Sequence, residues 1–430
     1  MSESPDVSRP STEMGTDKSS GQSQRIWRRK KKTNELPERL MSVDALRGFD
    51  MFWIVGAGYL VTAIDSWSDS KFWTHVKTQL THVDWEGLRF YDLIFPLFVF
   101  IVGVSIVLSL RKAQAKDGTF ACARKVVLRG ALLFAVGLFY SGGFSKLWPD
   151  IRVLGVLQRI ALCYTAAGLL FLFLRARWLV VAAVTILLGY YLALWRLDIR
   201  DIEMTPAIMA DLAKTAGTTN AVELFERAEG TVYGQFTPGY NVANHFDFQF
   251  LPGKLYDTYW DPEGILSTFP AIVTCLLGVL SGIWLLRADR TPGHRALMLI
   301  VAGCLCFSAG WGWGQHFPVI KKLWTSSFVL AAGGYSMVLL GIFFQVVDVW
   351  RLQRWCQPFV WIGSNAITIY LAAQILNYRK VAERFVGGDV RAWLNTQNKG
   401  LGEVLVALAA LAVMLLFARF LYRRKVFIRL

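Results

Sequence analysis

The chain has 430 residues, 54% of them hydrophobic, including 17 Trp and 29 Phe. Apolar runs of about 20 residues recur along nearly the whole length, as a bilayer core of about 30 Å requires, which argues against a soluble multidomain protein. The formal net charge of +15 comes mostly from basic residues in short links between these runs, so it indicates membrane topology and contact with anionic lipid rather than nucleic-acid binding.

The first forty residues differ in character from the rest of the chain. Residues 1–40 are polar and rich in Ser, and they contain a basic cluster from Arg25 to Lys32. Because they lack the apolar core of a cleaved signal peptide, we predict a disordered cytoplasmic tail followed by an internal signal-anchor helix.

The apolar runs that follow predict an all-α, polytopic transmembrane bundle of about ten helices. The link between the fourth and fifth runs is very short, which predicts a tight helical hairpin. The approximate bounds of the ten predicted spans are 43–64, 90–110, 125–140, 151–173, 177–195, 264–286, 294–313, 327–349, 357–377 and 403–423.

The charges in the short links predict the orientation, since basic residues favour the cytoplasmic side. With the N-terminus inside, every cytoplasmic link is basic, both termini are cytoplasmic, and the long acidic segment 196–263 lies outside. We therefore divide the chain into the tail 1–40, a membrane-embedded domain 41–377 that includes segment 196–263, and an outer loop with a final helix and a basic cytoplasmic end over 378–430.

The outside segment changes in composition halfway along. From Asp201 to Glu229 it alternates acidic residues with Ala, Leu and Met, which predicts helix. From Tyr233 to Asp261 it is rich in Gly, Pro, Asn and aromatic residues. This second half suits either a lid that stacks aromatic rings on sugars or an ordinary structured loop.

Charged residues inside the spans are functional candidates, because burying a charge in a bilayer is costly. Asp44 and Arg47, near the start of the first span, are three residues apart and share a helix face. They could contact a substrate or form a packing salt bridge. Both interpretations remain open at the level of sequence.

His82 and the acids around it form the strongest candidate site. It is one of only five histidines, and it lies where the outer loop meets the second span. Histidine suits proton transfer near neutral pH, and either Asp84 or Asp92 could orient its ring. The alternative is an interfacial histidine without a catalytic role.

Arginines gather in the third and fourth predicted spans. Arg152 and Arg159 are seven residues apart, which predicts one shared helix face with Gln158 beside it, and Arg124 and Arg129 add basic charge nearby. Arginine binds phosphate or carboxylate through paired donors. This face therefore predicts either an anionic ligand or buried acidic partners.

Asn365 is a buried amide in the ninth predicted span, where it could hold a thioester carbonyl or join helices. The sequence contains no Walker loop, dinucleotide fingerprint, HExxH or GxSxG motif. The six cysteines fall in spans or on the cytoplasmic side in this topology, so we expect no disulfide, and we expect no metal site.

An ordered set of sequence blocks resembles the heparan-alpha-glucosaminide N-acetyltransferase family and its bacterial relatives. The resemblance spans about residues 40–380. Two departures are expected: the family commonly has Asn where this sequence has Glu86, and the extra lumenal region and first helix of the animal enzyme have no counterpart. The blocks are Ser42–Phe49 with Met51–Trp53, His82–Gly103, Arg152–Tyr164, Asp261–Gly278, Leu323–Leu330 and Pro358–Tyr370.

The resemblance implies a membrane-bound acetyltransferase that takes acetyl-CoA from the cytoplasm and acetylates an amino sugar or related glycan presented on the far side. The family's histidine matches His82, as general base or acetyl carrier, and a further block matches Asn365. A bacterial inner membrane is the implied location. The candidates for binding acetyl-CoA are Asp44, Arg47, Arg124, Arg129, Arg152, Gln158 and Arg159.

The mechanistic hypothesis brings the donor in from a basic rim that includes Lys112 and Arg124. The pantetheine arm would pass the first, second, fourth and ninth predicted spans to reach His82. Asn365 or an arginine would stabilise the oxyanion. The rival hypothesis is an amino-sugar permease, and a homodimer is an arrangement that the sequence allows.

Overall fold

The computed structural model describes residues 40–68 and 70–427, so the predicted tail lies outside the described residues except for Leu40. Within the described part, helices dominate and the sheet is a single antiparallel pair of two-residue strands, β1 (Ile199–Arg200) and β2 (Thr231–Val232). The predicted all-α, polytopic fold is confirmed.

Long helices alternate with short ones that fill the loops. The helices are α1 Met41–Trp67, α2 Lys71–Gln79, α3 Ile94–Asp117, α4 Thr119–Tyr140, α5 Val156–Phe173, α6 Ala176–Arg196, α7 Pro206–Ala216, α8 Ala221–Arg227, α9 Val242–Phe250, α10 Ile265–Leu285, α11 Pro292–Trp313, α12 Ser326–Phe343, α13 Gln357–Gly363, α14 Ala366–Leu376, α15 Tyr378–Val386, α16 Asp389–Gln397 and α17 Leu401–Arg423. A 3₁₀ turn, Phe90–Leu93, leads directly into α3.

Seven described helices are long and apolar enough to cross a membrane, and α13 with α14 would make an eighth. The seven cover predicted spans, and α13 with α14 covers the ninth. The remaining two predicted spans correspond to α1 and α4, which are 27 and 22 residues long and carry charged residues. All ten predicted spans are therefore largely helical.

Three local features differ from the prediction. The fourth span begins as a helix only at Val156, not at residue 151. The ninth span is broken at residues 364–365, where α13 and α14 meet at a bend of 79°. The helices α7 and α8 confirm the helical first half of segment 196–263, whereas α2, α9, α15 and α16 were not predicted.

Glycines let the central helices approach backbone to backbone. A Cβ at Gly278 of α10 would lie 1.9 Å from the carbonyl oxygen of Phe100 in α3, and a Cβ at Gly48 of α1 would lie 1.7 Å from that of Phe359 in α13. Such small residues allow the close packing on which membrane helices rely. Helix α3 is thereby fixed against α10, and α1 against α13.

We expect Gly278→Ala to lower the melting temperature of the protein in detergent, because the new methyl group collides with backbone that cannot rotate away. Overpacking of this kind costs about 1–3 kcal/mol. The control is Gly312→Ala in α11, where an added Cβ meets nothing within 4 Å. Tryptophan fluorescence during heating measures both, and equal melting temperatures would contradict the packing argument.

Candidate active site

Two cavities occupy successive stretches of helix α3. The His82 cavity has a volume of about 640 Å³ and is lined by the start of α3 together with His82, Asp84, Asp92, Arg152, Arg159 and Lys321. The Arg47 cavity has a volume of about 760 Å³ and is lined by the second half of α3 together with Asp44, Arg47, Lys112, Arg129 and Asn365.

A thin apolar layer separates the two cavities, because Phe98, Ile160 and Ile367 line both of them. Helices α1, α3, α5 and α14 each contribute residues to both cavities. With a rise of about 1.5 Å per residue, Asp92 and Ser105 lie about 20 Å apart along α3. The two cavities are therefore neighbours within one helix bundle, and different parts of α3 line them.

Asp92 orients His82. Its Oδ1 lies 2.8 Å from Nδ1 of the imidazole, and its Oδ2 accepts the backbone N–H groups of Val83 and Arg89, each at 3.2 Å. Asp92 is fully buried, whereas the His82 side chain is half exposed, and Tyr91 stacks on it at a centroid distance of 4.6 Å. Of the two acids that the sequence proposed, Asp92 holds the ring. Asp84 lines the cavity.

Lys321 completes this cluster and was not predicted. Its Nζ lies 2.9 Å from Nδ1 of His82, 3.3 Å from Nε2 and 3.4 Å from Oδ1 of Asp92. Burial lowers the pKa of Lys321, and the carboxylates of Asp92 and Glu263 oppose that shift. The signal for it in the sequence was weak, a pair of lysines just before the family block that begins at Leu323.

Asp92 and Lys321 both lie within hydrogen-bond distance of Nδ1 of the imidazole, so the role of that nitrogen depends on the tautomer. A proton on Nδ1 donates to Asp92, which leaves Nε2 as the basic nitrogen. The loop that carries His82 is held to the segment that carries Lys321, because the Gly87 N–H donates to the carbonyl of Val319 at 2.9 Å. The site can therefore accept a proton at Nε2 on a supported ring.

Arg152 does not share a helix face with Arg159, and that prediction is wrong. Arg152 precedes α5, and its guanidinium binds Asp261 at 2.8 Å through Nε and at 2.6 Å through Nη2, with Glu263 at 2.6 Å. Arg159 lies within α5, where Nη2 donates to the Ser267 hydroxyl. Both arginines line the His82 cavity, and the buried acidic partners that the sequence left open exist for Arg152.

Asp44 and Arg47 form the ion pair that their spacing predicted, at 3.4 Å. Arg47 also donates to the Ser105 hydroxyl at 2.6 Å and to the carbonyl of Gly363 at 3.3 Å. The pair thus packs three helices together and lines the Arg47 cavity. The geometry is compatible with both roles that the sequence left open.

The other candidates divide between the two cavities or lie outside them. Arg129 lines the Arg47 cavity, whereas Arg124 is exposed on α4 and lines neither cavity. Gln158 is buried against Gly137, between α4 and α5. Asn365 begins α14 and lines the Arg47 cavity, so it does not share a cavity with His82.

Part of the chain is similar to a known protein family. Residues 39–215 match a family model described as heparan-alpha-glucosaminide N-acetyltransferase, catalytic. The resemblance predicted from the sequence is confirmed. The matched stretch contains His82, Asp92, Arg47 and Arg159, whereas Lys321 lies beyond it.

Two curated relatives carry the same name. The chain is 27% identical to the human heparan-alpha-glucosaminide N-acetyltransferase over 437 aligned positions, which cover 91% of this chain and 60% of the human protein. The mouse protein is 26% identical over 438 positions, with 90% and 60% covered. The chain thus spans about 60% of the length of these relatives, and they give no support to the permease hypothesis.

A buried acid next to the site predicts a pH dependence. Asp247 of α9 is 1% exposed and accepts the N–H of Ile265 at 2.8 Å, at the start of α10. Burial raises its pKa to about 7, above the unfolded value of about 3.9. The stability that this group contributes is therefore complete below about pH 4 and is lost as the pH rises through about 7.

We expect Asp247→Asn to reduce the fall in melting temperature between about pH 5 and pH 8, because asparagine cannot ionise. The matched control is Asp211→Asn, since the Asp211 side chain is 76% exposed. Thermal unfolding at four pH values measures the slopes. Equal slopes in wild type and Asp247→Asn would show that ionisation of this carboxyl does not limit stability.

Proposed function

We propose that this protein transfers the acetyl group of acetyl-CoA to the amino group of a sugar or related glycan acceptor. One observation carries the proposal: an oriented His82–Asp92 pair in one cavity lies across a three-residue apolar layer from a cavity lined by cations. The names of the human and mouse relatives, both N-acetyltransferases, support the same reaction.

The Arg47 cavity suits the donor. Arg47, Lys112 and Arg129 line it, and guanidinium and ammonium groups attract the phosphates of a nucleotide. Its volume of about 760 Å³ falls within the usual range of ligand pockets, about 300–1,000 Å³. The thioester arm would then pass α1, α3, α5 and α14, which correspond to the four spans named from the sequence.

The His82 cavity suits the acceptor and the chemistry. The acceptor nitrogen attacks the carbonyl carbon of the acetyl group, and Nε2 of His82 takes the proton that the nitrogen loses. The carbon–sulfur bond then breaks, and the departing sulfur takes the proton from the imidazolium. Asp92 stabilises the imidazolium between these two steps.

A second route uses the same geometry. Nε2 of His82 itself forms the bond to the acetyl carbon, and the carbon–sulfur bond breaks to release the thiolate. The acceptor nitrogen then attacks the same carbon, the carbon–Nε2 bond breaks, and the proton that the nitrogen loses passes to the thiolate. The orientation of the ring by Asp92 serves both routes. An acetylated protein that can be trapped by acid quench would identify the second route.

The proposal includes the location and the partners. We place the protein in a bacterial inner membrane with both termini in the cytoplasm, so that the basic links face the donor and segment 196–263 faces the acceptor. Aromatic rings of Trp85 and Tyr256 line the His82 cavity and offer faces on which a sugar can stack. A lipid bilayer surrounds the protein, and no nucleic acid takes part.

We expect His82→Ala to abolish transfer of radiolabelled acetyl from acetyl-CoA to glucosamine, with a loss of about 10²–10⁴-fold and an unchanged melting temperature. The fold should survive because the His82 side chain is 52% exposed. Lys214→Ala, at a side chain 77% exposed, is the control and should retain full activity. Full activity in His82→Ala would sink the mechanism. If the wild-type protein transfers no acetyl to any amino sugar, uptake into proteoliposomes tests the permease.

The donor site predicts a different kinetic signature. We expect Lys112→Ala to raise KM for acetyl-CoA about tenfold with little change in kcat, because a charge-assisted contact contributes about 1.5–3 kcal/mol. Arg124→Ala is the control, since Arg124 belongs to the same basic link but lines neither cavity. Equal KM values in the two variants would place the nucleotide elsewhere.

A further inference from the structure

Arg159 is a buried cation with unused donors. Its residue is 1% exposed, and it lines the His82 cavity. Of its three nitrogens, Nη2 donates to the carbonyl of Gly264 at 3.4 Å and to the Ser267 hydroxyl. Nε and Nη1 are buried and have no hydrogen-bond partner within residues 40–68 and 70–427.

The other cations that line this cavity each have a carboxylate. Arg152 binds Asp261 and Glu263, Lys321 lies 3.4 Å from Asp92, and Lys322 lies 3.4 Å from Asp257. Over the described stretches of chain, Arg159 has no carboxylate within salt-bridge distance. It interacts electrostatically with the buried carboxyl of Asp247, where it opposes the larger effect of burial, which raises the pKa of that carboxyl.

A buried charge that forms no salt bridge is costly. We therefore infer that the guanidinium of Arg159 stabilises a negative charge that forms on the substrate only during part of the reaction cycle. The residue that carries these unused donors lines the same cavity as the general base. An acyl transfer needs hydrogen-bond donors there, because charge develops on the carbonyl oxygen.

One turn of the chain supports both the base and this cation. Lys321 contacts His82, and the N–H of Trp324 donates to the carbonyl of Lys321 at 2.9 Å. The Trp324 ring lies under Arg159, with Cζ 5.0 Å from the ring centroid, and its indole N–H donates to the Thr274 hydroxyl at 3.1 Å. The segment between α11 and α12 thus contacts both His82 and Arg159.

We propose that Arg159 is a catalytic residue that stabilises the oxyanion of the acetyl group during transfer. The inference rests on the proposed function. As the bond from the acceptor nitrogen to carbon forms, the π electron pair of the carbonyl moves onto oxygen, where one of the two unused donors of Arg159, Nε–H or Nη1–H, donates to it. When the carbon–sulfur bond breaks, the pair returns to the carbonyl, and Arg159 gains and loses no proton. Asn365, the other oxyanion candidate, lines the Arg47 cavity instead.

The test compares Arg159→Gln, Arg159→Ala and Arg159→Lys with wild type in steady-state acetyl transfer. We expect kcat to fall about 10²–10³-fold in the Gln and Ala variants, while KM for acetyl-CoA and for glucosamine stays within a few fold. Arg159→Lys should retain part of kcat, because it keeps the positive charge. Added guanidinium, at concentrations that leave the melting temperature unchanged, should restore part of kcat in Arg159→Ala but none in His82→Ala.

Two results would overturn the inference. An unchanged kcat with a raised KM for the acceptor would show that Arg159 binds the acceptor and does not stabilise the transition state. A loss of kcat that guanidinium does not restore, with a lowered melting temperature in all three variants, would make the residue structural. If wild type transfers no acetyl at all, the proposed function fails first. If only His82→Ala is inactive, the function stands and this inference falls.

Discussion

A fully buried carboxylate needs partners for both of its oxygens, and Asp92 finds them on separate stretches of the chain. One oxygen holds the loop over residues 83–89 through two backbone N–H groups, and the other meets His82 and Lys321. Because Asp92 lies in the turn that leads into α3, and α3 packs backbone to backbone on α10, the orientation of the imidazole depends on the packing of these two helices. The geometry of the candidate site thus depends on how the helices pack.

The charges of the bundle divide into two kinds. Arg152 and the Asp44–Arg47 pair join elements that are distant in sequence and satisfy one another. Lys321 and Arg159 instead line one cavity, and one short turn contacts both, because it carries Lys321 itself and Trp324, whose ring packs on Arg159. In the first kind, each charged group is paired with a group of opposite charge. In Arg159, two N–H donors have no hydrogen-bond partner among the described residues. This contrast separates residues that hold the fold from residues that face the chemistry, although all are costly to place within a membrane.

Sequence reasoning recovered the helices because apolar runs must match the thickness of a bilayer, and it recovered the Asp44–Arg47 pair because three residues are nearly one helical turn. It did not predict contacts between residues that are far apart in the sequence. Lys321 meets His82 across 239 residues and Arg152 meets Asp261 across 109, and no local pattern encodes either contact. The choice between Asp84 and Asp92 depended on how a loop folds back. The break at residue 365 was hidden because apolar composition continues through it.

The layer of Phe98, Ile160 and Ile367 between the two cavities has a further consequence for the cell. Under the proposed topology, the two cavities approach each other from opposite faces of the bilayer, so that only a few side chains insulate one face from the other. A continuous file of water there would let protons leak across the membrane. Hydrocarbon and aromatic side chains offer water no hydrogen bonds, so a file cannot form at low cost. A slender donor arm that parts these side chains also plugs the gap it makes. Under the proposed function, the same three residues act as both gate and electrical seal.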